Sequence, residues 1–131
     1  MLRIELLAPL LLILAAAVPE PQSGVVSWVT DGDTFRLESG ERIRIAGIDA
    51  PETQPGNARC RAELARGKTA TRAAIALLKG RTVRIERVGR SYDRTVARVR
   101  LDGRDVAALL VAKGAARWWP RGKPKPNWCR R

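Results

Sequence analysis

The chain has 131 residues, room for one domain, with 25 Lys plus Arg against 13 Asp plus Glu and a formal net charge of +12. It contains no histidine, which excludes Ser-His-Asp and Cys-His triads and histidine general bases; with two cysteines only, it also excludes the usual Cys/His zinc site. A hydrophobic content of 45% supports a packed core, and the positive charge selects polyanionic partners: nucleic acid, anionic lipid or acidic polysaccharide.

At the N-terminus, Arg3 precedes an apolar run over residues 6–18, and Ala15, Ala16 and Ala17 supply small residues for a cleavage site. The run is too short to cross a hydrocarbon core of about 30 Å, so residues 1–17 read as a cleaved export signal, with an uncleaved anchor as the alternative. Residues 18–23 read as an extended linker. Residues 24–30 form a first strand in this reading, and Asp31-Gly32 a turn. Thr34–Leu37 is the second strand. Arg42–Ile45 alternates with period two and is the third, with Ile43 and Ile45 on one face and Arg42 and Arg44 on the other. Residues 47–55 read as a loop carrying Asp49, Pro51 and Glu52. Arg61–Leu78 is rich in helix formers, with Leu64, Ala65, Ala74, Ile75, Leu77 and Leu78 expected to be buried and Arg59, Arg66 and Arg72 expected on a solvated face. Residues 82–88 and Arg94–Leu101 alternate as the fourth and fifth strands, Asp102-Gly103 turns the chain, and residues 104–113 read as a short helix ended by Gly114. Trp118 and Trp119 are expected to cap the edge of the core, and residues 120–131 read as an irregular basic tail.

Three strands, a helix, two strands and a helix give an α+β, mainly β class. They fit a five-stranded OB-fold barrel, with a long helix between strands three and four and a short one after strand five, over a domain of residues 24–119. The pattern alone does not select this barrel over another small α+β fold.

Two motifs carry chemistry: Asp31-Gly32-Asp33-Thr34 and Ile48-Asp49-Ala50-Pro51-Glu52. Taken alone, the first is an ordinary hairpin turn. Together with Arg44 and Arg94 they supply the groups a phosphodiester-cleaving site needs: oxygen donors for a hard cation, a carboxylate for the attacking water, and fixed guanidiniums for the phosphate. Without histidine, a carboxylate must handle the proton.

The runs Val29-Thr30-Asp31-Gly32-Asp33-Thr34, Arg42-Ile43-Arg44-Ile45-Ala46-Gly47-Ile48-Asp49-Ala50-Pro51-Glu52 and Ser91-Tyr92-Asp93-Arg94-Thr95-Val96-Ala97-Arg98-Val99 closely resemble the thermonuclease, or staphylococcal-nuclease-like, family. The resemblance implies an OB fold and Ca²⁺-dependent cleavage of DNA and RNA. It further implies that Asp33, Asp49 and the backbone carbonyl of Ala50 ligate calcium, with Asp31 as an acid beside the metal. Glu52 matches the general base or water-orienting group, Arg44 and Arg94 the pair that grips the reacting phosphate, and Tyr92 a tyrosine that contacts a terminal phosphate and the sugar. The chain departs from the family pattern at Ser91, where a basic residue can stand, and in its tail, where a further helix is usual. A second function is kept: a non-catalytic OB module binding single-stranded nucleic acid.

Cys60 and Cys129 form one disulfide if the chain is exported and stay free thiols if it is not. The export signal favours the disulfide, which closes a loop of about 70 residues and contributes up to roughly 4 kcal/mol. The mature protein is expected to be a periplasmic or secreted monomer, without stable membrane insertion once the signal is cleaved.

Overall fold

The computed structural model describes residues 2, 11–15 and 22–130. Most of the export-signal segment and of the linker lies outside these. No helix among the described residues is long and apolar enough to cross a membrane.

Strand β1 (Ser23–Asp31) turns at Gly32-Asp33 into β2 (Thr34–Leu37), which pairs antiparallel with β3 (Arg42–Ile45). Strand β5 (Thr82–Ser91) pairs antiparallel with both β1 and β6 (Arg94–Leu101). A parallel pairing of β3 with β6, Arg44 opposite Val96, closes the five strands into a ring. Strand β1 pairs with β5 through residues 23–25 and with β2 from Val26 onward, the latter with register shifts between Val26 and Trp28 and between Val29 and Asp31. Inside the ring, Val26, Phe35, Ile43, Ile45, Val83 and Val99 are fully buried, each on the inward phase of its strand's alternation. The class is α+β, mainly β, with an OB-like arrangement of five strands and two helices.

Helix α1 (Arg61–Leu78) lies in the connection between β3 and β5, and α2 (Val106–Ala112) follows β6. The buried face of α1 matches the expected one at Ala74 and Leu78 and departs from it elsewhere. It runs through Glu63, Gly67, Ala70, Ala74 and Leu78, whereas Ala65 and Ile75 are exposed and Leu64 and Leu77 only half-buried. At Gly67 the helix approaches its neighbours too closely for any side chain. A Cβ on Gly67 would overlap the carbonyl of Glu52, so a glycine is needed where the helix meets that loop.

Three two-residue strands add detail. The segment read as a loop contains β4 (Ile48–Asp49), which pairs with β8 (Arg117–Trp118), Asp49 opposite Arg117. Strand β7 (Arg104–Asp105) pairs with β6 across Asp102 and Gly103, both at positive φ, so α2 begins at Val106 and not at 104. Pairing with β6 also carries β5 on to Ser91, three residues past the expected end at 88. Trp118 does not cap the core; it is 51% exposed, and it is Trp128 in the tail that is buried.

Candidate active site

The β1–β2 turn presents Asp31 and Asp33 at one end of the ring. The Asp33 N–H donates to Asp31 Oδ1 (3.0 Å), which fixes the turn. The Asp33 carboxylate is buried and accepts from three directions: Thr34 Oγ1 (2.8 Å) on Oδ1, the Ala50 N–H (2.9 Å) on Oδ2, and the Arg44 guanidinium at 3.5 Å from Oδ2. The bond from Ala50 ties the turn to the segment bearing Asp49 and Glu52. Pairing of β2 with β3 sets Thr34 opposite Arg44, so that guanidinium faces the turn. Its other nitrogen donates to the Ile45 carbonyl (2.6 Å). Arg94, at the start of β6, reaches Thr34 Oγ1 (3.5 Å) and Ser91 Oγ (3.2 Å).

Neighbouring acids are drawn elsewhere. Asp93 pairs with Arg42 (2.5 Å), and Glu41 with Arg87 (2.6 Å) and Thr95 (2.8 Å). The charge-assisted bonds from Arg87 hold the Glu41 carboxyl below its ordinary range. Neither acid occupies Arg44 or Arg94, whose guanidiniums remain with the turn.

Asp49 is buried beside this cluster, and the tail supplies its partners. Lys125 Nζ lies 2.6 Å from Oδ1, and Trp128 Nε1 donates to Oδ2 at 2.8 Å. Glu52 is half-buried. Burial raises its carboxyl above the ordinary value; Lys125 opposes the rise, and Asp33, Asp49 and Glu63 add to it. Asp31 is pushed up to about 8, first by burial and then by the charge of Asp33, with Glu52 contributing.

Two groups were not singled out from sequence. Glu63, on the first turn of α1, accepts from the backbone N–H groups of Glu52 (3.0 Å) and Arg59 (3.0 Å), so it fixes the loop that carries Glu52. Its signal was present: a glutamate three residues after the helix N-cap, here Cys60, whose Sγ accepts from the Glu63 N–H at 3.4 Å. Lys125 gave no local signal at all. Arg66, expected on a solvated face, instead donates to the carbonyls of Trp128 (2.6 Å) and Arg130 (3.2 Å). Tyr92, at positive φ on the tip of the β5–β6 turn, is 93% exposed and stands out from the cluster. Cys60 and Cys129 form a disulfide with Cα atoms 6.1 Å apart, which anchors the tail at the start of α1.

A family model described as staphylococcal nuclease homologue matches residues 42–127, more than half of the chain. The chain belongs to that family. No curated protein matches it closely enough to add a relative. For this staphylococcal nuclease homologue, the match covers Arg44, Asp49, Glu52, Tyr92 and Arg94, while Asp31 and Asp33 precede it. The family is one of nucleases and is typically calcium-dependent. The donors here suit such an ion: hard carboxylate oxygens of Asp33 and Asp49, with Asp31 beside them, and a cation, the Lys125 ammonium, already sits on Asp49. Among the described residues no three acidic or sulfur side chains form a ready-made metal cage. The oxygen donors are of the kind a divalent ion takes, but Asp49 is committed to Lys125 and Trp128.

Proposed function

We propose that this protein is a calcium-dependent nuclease that hydrolyses phosphodiester bonds in DNA and RNA. The observation that carries the reading is the convergence of two guanidiniums, Arg44 and Arg94, on the turn that holds Asp33, with Glu52 in the same electrostatic neighbourhood. In this reading Asp33, Asp49 and the Ala50 carbonyl hold calcium, and Asp31 lies beside them. Bound calcium would supply Lewis-acid charge at the scissile phosphate.

The chain's own groups do the rest. Glu52, its carboxyl raised by burial, takes or orients the proton of the attacking water. Arg44 and Arg94 donate to the phosphate oxygens as charge builds on them, held in advance by Asp33, Ile45 and Thr34. Glu63 keeps the backbone under Glu52 in place. Tyr92 is free at the surface to meet the sugar or terminal phosphate of an incoming strand. We also propose that the mature chain is an exported monomer, periplasmic or secreted, without stable membrane insertion; the disulfide supports an oxidising compartment.

The test is incubation of the purified protein with plasmid DNA in calcium and in chelator. Loss of DNA is expected in calcium alone. Glu52→Gln should keep nucleotide binding and lose about 10²–10⁴-fold in single-turnover rate. Binding of single strands with no cleavage under any condition would leave the non-catalytic OB module as the function.

A further inference from the structure

Nothing in the proposed reaction uses Lys125, yet the tail is built to deliver it. Cys129 is bonded to Cys60, at the N-terminus of α1. Trp128 is buried, with the Arg117 guanidinium 4.2 Å from its ring centroid, and Arg117 also donates to the Asn127 carbonyl (2.8 Å). Arg66 holds the Trp128 carbonyl. Pro124 and Pro126 flank Lys125 and narrow the backbone on both sides. Its Nζ lies 5.3 Å from the Trp119 ring centroid and 2.6 Å from Asp49 Oδ1.

The two tail groups on Asp49 are unequal. Trp128 is locked, and its indole N–H fixes the orientation of the carboxylate through Oδ2. Lys125 is partly open to solvent, its side chain 34% exposed against 4% for Asp49, and it sits on a long flexible stem. A buried carboxylate left unpaired is costly, so Asp49 favours a state with a cation at Oδ1. Lys125 supplies it and can also swing out to water.

We propose that Lys125 is a displaceable placeholder cation at the candidate metal site, and that its competition for Asp49 Oδ1 determines how tightly the site takes a divalent ion. The proposal rests on the reading of Asp49 as a metal ligand. Every divalent ion that binds must first move the ammonium, so the apparent affinity is the intrinsic one reduced by the fraction of molecules with Lys125 withdrawn.

Calorimetric titration of the oxidised protein with calcium tests this without recourse to activity. Lys125→Met and Lys125→Gln should each bind calcium about tenfold or more tightly than the wild type. Lys123→Met removes the same formal charge from an exposed residue two positions away and, being screened by solvent, should shift affinity by about twofold at most. A larger calcium-induced rise in melting temperature for the Lys125 variants is the second readout, and either variant that folds suffices. Unchanged or weaker binding in the Lys125 variants, or an equal shift in Lys123→Met, overturns the placeholder and leaves the nuclease reading standing. No calcium binding in any of the proteins overturns the placeholder and the calcium dependence together.

Discussion

Asp33 and Asp49 belong to one cluster but are held by opposite means. The partners of Asp33 are close in sequence: Asp31 and Thr34 in its own turn, Arg44 on the paired strand, and Ala50 at a separation of 17. The partners of Asp49 are Lys125 and Trp128, at separations of 76 and 79. One carboxylate is therefore placed by the ring and the other is completed by the tail. The ring half forms whenever the strands pair, whereas the tail half depends on a segment with little hydrophobic content, secured by one covalent bond and a few arginine contacts.

Breaking the tail half alone should have the largest effect on stability. The disulfide spans 69 positions, so its reduction is expected to remove up to about 4 kcal/mol by freeing that loop in the unfolded chain. Thermal melts with and without reductant measure this. The initial cleavage rate at 25 °C in saturating calcium should change far less, because Arg44, Arg94 and Asp33 stay on the ring. A rate that collapses in reductant while the melt is unchanged would place the tail in the catalytic half.

The ring half should show the reverse. Arg44→Lys keeps the charge but not the planar fork, and is expected to lower kcat about a hundredfold with little change in melting temperature. Arg72→Lys, on the exposed face of α1, serves as the control. Equal and small effects at both positions would reduce Arg44 to a structural partner of Asp33.

Where the halves meet, Gly67→Ala sharpens the comparison. Alanine in a helix interior is ordinarily better than glycine by about 1 kcal/mol. Here the added methyl meets the Glu52 carbonyl, so the substitution should instead destabilise by about 1–3 kcal/mol. Denaturant melts give the sign directly; stabilisation would mean that the loop under Glu52 yields without cost.

The effect that depends on pH is expected at Asp31, where asparagine preserves the acceptor used by the Asp33 N–H. With its folded pKa near 8, Asp31 stays protonated in the native state while the unfolded chain ionises near 4. The unfolded state then binds fewer protons, so this group's contribution to stability falls as pH rises from about 4 to about 8 and is level above that. Asp31→Asn removes the fall. Melts in chelator should show the variant gaining on the wild type across that window; parallel curves would mean that Asp31 is ionised when folded.

This division also explains what the sequence disclosed. Alternation in Arg42–Ile45 and Arg94–Leu101 placed the strands, and the turn chemistry of Asp31-Gly32 placed the acids, because both signals are local. The two-residue strands β4 and β8 have no period to read. The buried face of α1 was misplaced in its first half because close approach to the Glu52 loop selects Gly67, and Ala70 packs against Gly32 in the β1–β2 turn. Lys125 looks like any basic residue in a Pro-rich tail; only the fold brings it to Asp49.

The parallel pairing of β3 with β6 has a consequence for folding. Arg44 and Arg94 are neighbours only because that pairing closes the ring, joining segments some fifty residues apart after β5 has taken its place between β1 and β6. The pairing of β1 with β5, Val25 opposite Thr82, is equally long-range, and these closures carry an entropic cost that the local hairpins do not share. A partly folded chain can hold the β1–β2 turn with both its acids and still lack the two guanidiniums beside it. If the chain is the nuclease proposed above, cleavage activity during refolding should appear with the closure of the ring and not with the first gain of β structure, so that activity reports a completed ring.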